Sequence, residues 1–139
     1  MTNDLTELEM RVLGLLEEAN EEDAITTLNT IIDPTGTSIE LSDYQEALLR
    51  LVQAELIEVQ LNSIPTGRIH LTTGKAIEEI RKLSDSYEFI TGEGHWTDRR
   101  ESGPPYFQFP LPCLVLTPRG RAVSVNLLES RGYQWWRPV

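Results

Sequence analysis

Three side chains have types suited to covalent or metal chemistry: His70, His95 and Cys113. His95 lies in Gly94-His95-Trp96-Thr97-Asp98, three residues before a carboxylate. A thiol activated by an imidazole that a carboxylate orients would be a nucleophilic site. The spacing here gives no such triad, because no nucleophile and base fall together in any recognisable pattern, and no enzyme activity is expected. A metal site needs three or four converging ligands, and two histidines and one cysteine scattered over the chain provide no cluster; neither metal nor cofactor is expected. Gly92-Glu93-Gly94 lacks the third glycine and the preceding strand of a dinucleotide loop, and reads as a turn. Cys113, between Pro112 and Leu114, reads as a small core residue.

With chemistry set aside, the distribution of charge points to binding. The chain carries a formal net charge of −10. Residues 1–97 hold 19 acidic and 6 basic side chains, whereas residues 98–139 hold 3 acidic residues and 6 arginines. This asymmetry implies either a basic binding segment or two parts of the chain that attract each other. Arg99-Arg100 and the Arg119/Arg121 pair, with Trp96 and Tyr106 close in sequence, are compatible with a nucleic-acid contact. Tyr133, Trp135 and Trp136 form an aromatic tail of the kind that anchors a terminus on a core or on a partner subunit, and are the candidate interaction or dimerisation residues. The arginines would then pair with the acidic face of the first two helices.

A chain of 139 residues is long enough for one domain with a proper core, or one domain and an extension. Its 40% hydrophobic and 24% charged content is ordinary for a globular protein. No apolar run approaches the roughly 18 residues of a membrane span, and Met1-Thr2-Asn3-Asp4 has neither the basic nor the apolar region of a secretory signal. One cysteine excludes an internal disulfide and fits a reducing compartment, so a cytoplasmic location without membrane contact is expected.

Periodicity supplies the elements that would position these residues. Leu5, Leu8, Val12, Leu15, Leu16 and Ala19 recur at helical spacing behind a Thr6 N-cap, and Asn20 closes the first helix. Glu21, Glu22 and Asp23 complement the dipole of a second helix that buries Ala24, Ile25, Leu28, Ile31 and Ile32 and stops at Asp33-Pro34-Thr35-Gly36. A third helix is expected from about Ser42, with Tyr44, Ala47, Leu48, Leu51, Val52 and Leu56 buried. Ile57, Val59 and Leu61 then alternate as a half-buried strand, turn over 62–67 and return at Arg68–Leu71. Thr72 or Thr73 caps a helix carrying Ala76, Ile77, Ile80 and Leu83. The glycines and prolines of 84–112 break any long element, although Tyr106, Phe107 and Phe109 give that stretch apolar surface. Leu114-Val115-Leu116 reads as a buried strand, Thr117-Pro118 as cap and first turn of a last helix, and Gly132 as its stop.

The order helix, helix, helix, strand, turn, strand, helix, with Leu48-x-x-Leu51 running into Leu56-Ile57-Glu58 and then Leu71-Thr72-Thr73-Gly74-Lys75, resembles winged-helix transcriptional regulators at the level of the superfamily. The resemblance covers roughly residues 5–83. It implies an α+β fold, a three-helix core plus a β-hairpin wing (residues 1–83), followed by a C-terminal strand–helix extension (residues 84–139). Leu116-Thr117-Pro118-Arg119-Gly120-Arg121 also resembles the segment that leaves the wing. Either the chain holds a half-repeat, or the wing is a long excursion ending at Leu116, or Leu-Thr-Pro is only a common strand-to-helix junction.

The resemblance further implies double-stranded DNA as a partner, with the solvent face of the third helix in the major groove. The candidate nucleic-acid-binding residues are Ser42, Gln45, Arg50 and Gln53 on that helix, Arg68 near the wing tip, and Arg119 and Arg121. Asp43 and Glu46 oppose such docking by approaching a phosphate backbone with about one charge per 1.7 Å. The alternative is an acidic winged-helix module that binds a partner protein or a second copy of itself instead of DNA.

Overall fold

The structure, a computed structural model, describes residues 5–63, 67–99 and 111–138. The fold is α+β. In chain order it comprises α1 (Glu7–Ala19), β1 (Glu21–Asp23), α2 (Ala24–Ile31), α3 (Ser38–Gln53), β2 (Ile57–Ser63), β3 (Gly67–His70), α4 (Thr73–Arg81), α5 (Leu83–Ser86), β4 (Tyr87–Ile90), β5 (His95–Asp98), β6 (Leu111–Leu116) and α6 (Pro118–Arg131). One antiparallel sheet has the order β1-β6-β2-β3, and β4 and β5 form a separate hairpin. Tyr106, Phe107, Phe109 and Arg100 lie outside the described residues.

α1 begins where Thr6 accepts the Glu9 amide and ends at Asn20, whose positive φ of 74° turns the chain. The sequence suggests a single apolar stripe, but Val12, Leu13, Gly14, Leu15 and Leu16 are all buried. The reason is that α1 is packed against several elements at once: α2, α3, β6 and α6 all contact it. The three acidic residues expected to open the second helix form strand β1 instead, paired Glu21↔Val115, Glu22↔Leu114 and Asp23↔Cys113. Only Asp23 serves α2, as its N-cap, accepting the Thr26 amide at 2.8 Å.

The third helix starts four residues earlier than Ser42. Thr37 caps it by accepting the Glu40 amide at 3.1 Å, so Ser42 and Asp43 stand in the second turn. The buried face of α3 carries Leu41, Tyr44, Ala47, Leu48, Leu51 and Val52. The Tyr44 hydroxyl reaches the carbonyl of Ala24 at 2.6 Å, linking α3 to the start of α2.

β6 is one of the two inner strands of the larger sheet. It pairs along β2 from Ile57↔Leu116 to Asn62↔Leu111, and on its other edge with β1. The sheet is thus assembled from both sides of the 83/84 division suggested by the sequence. The β2–β3 hairpin expected at 57–71 forms as well, with Gln60↔His70 and Asn62↔Arg68, and makes β3 an edge strand. Residues 84–98, expected to be irregular, contain most of α5 and the β4–β5 hairpin. Gly94, with φ of 73°, supplies the turn that looked like a breaker.

α6 leaves the sheet at Thr117. The Thr117 hydroxyl donates to the Glu55 carbonyl at 2.6 Å, and its amide donates to the Leu56 carbonyl at 3.1 Å. The α3–β2 junction and the α6 N-terminus are therefore one hydrogen-bonded unit. Gly120 makes this close approach possible, because an added Cβ would fall on the Leu56 carbonyl oxygen.

Candidate interaction surface

α3 presents a continuous exposed stripe of Ser38, Ile39, Ser42, Asp43, Glu46, Arg50 and Gln53, the positions its buried face leaves free. Ile39 is 70% exposed at the leading end. Asp43 and Glu46 follow, and Arg50 is the stripe's one cation, held 3.4 Å from Glu9 and 3.7 Å from Glu46. Gln45 is not on this face. Its Nε2 donates to the carbonyls of Ile80 (2.9 Å) and Arg81 (3.3 Å), so α4 occupies the flank where Gln45 was expected to meet a base.

Arg68 and Arg121 are likewise held by the chain. Arg68 is in β3, not at a free tip, and makes two bonds to Glu21 at 2.6 and 3.0 Å. This pairing with Glu21 raises the Arg68 pKa. Arg121 binds Glu17 at 3.1 Å and Asn20 at 3.3 Å. Arg131 grips Glu7 with both terminal nitrogens, at 2.9 and 3.1 Å, and together with Arg11 holds the Glu7 carboxyl below its usual range. Arg99 lies 3.7 Å from Glu88. Arg99, Arg121 and Arg131 thus neutralise acidic residues of their own chain, while Arg137 lies over the Trp136 ring. Arg119 is exposed on the rim of a cavity of about 610 Å³ shared by the starts of α4 and α6, where Thr72, Thr73, Thr117 and Pro118 meet Glu55, Glu58 and His70.

The two Leu-Thr segments noted in the sequence both cap helices, and both line this cavity. Thr72 accepts the Lys75 amide at 3.3 Å and Thr117 the Gly120 amide at 2.9 Å.

The aromatic tail divides. Trp136 is 5% exposed and its indole nitrogen donates to Glu18 at 2.6 Å, while the Gln134 amide donates to the same oxygen at 2.9 Å. Trp135 lies against Gly14 of α1, with the Arg131 guanidinium stacked 4.1 Å from its ring. Tyr133 is 76% exposed. Of the three, then, Trp135 and Trp136 are taken up by α1, and Tyr133 faces outward.

The potential chemistry-bearing residues are separated. His95 and Thr97 lie on one face of β5 and the buried Trp96 and Asp98 on the other, so His95 and Asp98 do not share a face. Cys113 is in a different sheet. Burial, followed by the nearby Glu21 carboxylate, pushes its thiol up to about 11, with Arg68 partly opposing. Among the described residues no three His, Cys, Asp or Glu side chains gather as metal ligands, and no helix is long and apolar enough to cross a membrane.

A tie not foreseen from the sequence fixes the front of α3. The Glu40 carboxylate accepts the amides of Thr35 and Gly36, the Thr35 hydroxyl and the Trp96 indole N–H. Burial opposes its ionisation, but these donors prevail and its pKa is lowered. Asn29 adds a two-way bond to the Trp96 backbone, at 2.9 and 2.8 Å. The usable signal was Thr37-x-x-Glu40, a capping-box pattern. Compared with protein families, curated proteins and solved structures, the chain matches none.

Proposed function

We propose that this chain is a non-catalytic winged-helix module of a reducing, cytoplasmic compartment that binds protein and not duplex DNA. The winged-helix part of this reading is supported by the run α1–β1–α2–α3–β2–β6 and the three-stranded order β1-β6-β2. In it, the connection from β2 to β6 is an enlarged wing that carries α4 and the β4–β5 hairpin back onto α3 and α2.

The observation that carries the functional reading is the composition of the exposed α3 stripe: Asp43 and Glu46 face solvent, and Arg50 is shared between two carboxylates. A helix entering the major groove has to approach phosphates, and binding of that kind rests largely on cations that displace counterions. Here Arg68, Arg121 and Arg131 are committed to Glu21, Glu17 and Glu7. Freeing them would leave those carboxylates to oppose the DNA.

Fluorescence anisotropy with a labelled mixed-sequence duplex at low ionic strength tests the reading. The expected result is no saturable binding. Binding that falls steeply with added salt would restore the DNA regulator.

A further inference from the structure

We infer that β3 is a self-association edge: it pairs antiparallel with β3 of a second copy and joins the two sheets into one. This surface is distinct from the α3 stripe, and the inference does not rest on the reading of that stripe.

β3 ends the sheet with nothing laid along its outer side. All four of its residues are exposed, and β2 is the one strand it pairs with. In an antiparallel ladder, alternate residues turn both backbone groups toward the same neighbour. The Leu71 amide donates to the Val59 carbonyl at 3.2 Å, so Ile69 and Leu71 face β2. The amides and carbonyls of Arg68 and His70 then point away from the sheet, where no described backbone group meets them. Ladder groups left open in this way are a template for another strand.

The opposite edge of the sheet is guarded, and this one is not. β1 is three consecutive carboxylates, and the Glu22 side chain itself accepts the Asp23 amide at 3.0 Å. Charge of that kind is a common means of blunting an edge. On β3 the one permanent charge, Arg68, is drawn across the sheet to Glu21 at 2.6 Å. Ile69 stands 44% exposed, one of three large apolar side chains so exposed among the described residues.

The edge also fits itself. With Ile69 on a two-fold axis, Arg68 of each copy lies opposite His70 of the other, and each such pair exchanges both backbone bonds. The two Ile69 side chains then meet across the axis. Charge favours the antiparallel sense. Arg68, its side chain 41% exposed, stands at one end of the strand, and Glu58 lies 4.0 Å from His70 at the other. Antiparallel pairing sets the cationic end of each copy against the anionic end of its partner, whereas parallel pairing would bring like ends together.

Sedimentation equilibrium of the full chain from about 10 µM to about 1 mM tests this, a range that reaches the weak affinity of a short contact. The expected result is a reversible monomer–dimer equilibrium, with the Arg68 and His70 amides exchanging with solvent more slowly at the upper concentration. I69K brings two cations together at the axis. H70P removes an outward amide without touching the β2 ladder, a place where an edge strand tolerates proline. Each should weaken the dimer at least about tenfold, since a change at a two-fold contact acts twice. Y133S, at an exposed aromatic on the tail, should leave the dimer unchanged. Near-ultraviolet circular dichroism checks that the variants keep the wild-type fold, and the amide exchange of wild type needs no variant. A monomer throughout the range, a dimer undiminished in both I69K and H70P, loss of the dimer in Y133S, or equal exchange of the Arg68 and His70 amides at both concentrations would overturn the inference.

Discussion

The Trp96 indole N–H donates to Glu40 Oε2 at 2.8 Å, joining the β4–β5 hairpin to the first turn of α3. The same carboxylate closes the α2–α3 turn through Thr35 and Gly36, so one side chain holds three parts of the chain. E40Q should lower stability by roughly 1–3 kcal/mol, the range for removing the charged partner of several hydrogen bonds. Chemical denaturation followed by tryptophan fluorescence measures this.

The pH dependence of that site has a definite sign. Because the folded Glu40 pKa is lowered, its contribution is present above the ordinary glutamate range and is lost as pH falls through the folded value. Wild type should therefore lose more stability than E40Q on acidification from neutral pH to below that range. Parallel acid-dependence curves for the two proteins would contradict the assignment.

Gly120 should be the least replaceable glycine described. G120A places a methyl on the Leu56 carbonyl oxygen, and backbone on both sides leaves no flexible side chain to yield. A loss of about 3 kcal/mol or more is expected, at the upper end of overpacking costs. Thermal melts of both variants check this: G74A, with open space around it, should be nearly neutral.

The tail makes a paired prediction. W136A should cost about 3–5 kcal/mol, as for other buried tryptophans, because it also leaves Glu18 without its indole donor. Y133A should stay within about 0.5 kcal/mol of wild type, as exposed substitutions do. Thermal melts of both variants check this.

Cys113 should be a slow thiol. With its pKa pushed up to about 11, only on the order of one molecule in a thousand is thiolate at pH 8, the reactive form. Reaction with a thiol reagent should accelerate sharply when the protein is denatured.

Much of this architecture is legible in the residues. The Thr6 cap, the α1 stripe, the Leu56-Ile57 junction, the Thr72 and Thr117-Pro118 caps and the Gly132 stop all follow from local rules, because each is a contest among neighbours in sequence. β1 is not legible: Glu21-Glu22-Asp23 has no apolar alternation, and is a strand only because β6 arrives from some ninety residues away to supply the ladder. The β4–β5 hairpin was obscured because Gly92 and Gly94 read as breakers when they form its turn. For the surface, Asp43 and Glu46 were readable as a penalty on DNA docking. That C-terminal arginines would pair with the acidic first helix was readable from the charge asymmetry, as Arg121–Glu17 and Arg131–Glu7 do; the individual partners and the Arg68–Glu21 pair were not, since each carboxylate is 47 or more positions distant.

We propose that Asp43 and Glu46 on the exposed face of α3 keep this chain off duplex DNA. Anisotropy of one labelled duplex at low salt, measured with wild type and with D43K/E46K, tests it most directly. Wild type should show no saturable binding, and the variant should gain binding that falls with salt. Wild type binding the duplex as tightly as D43K/E46K would contradict it.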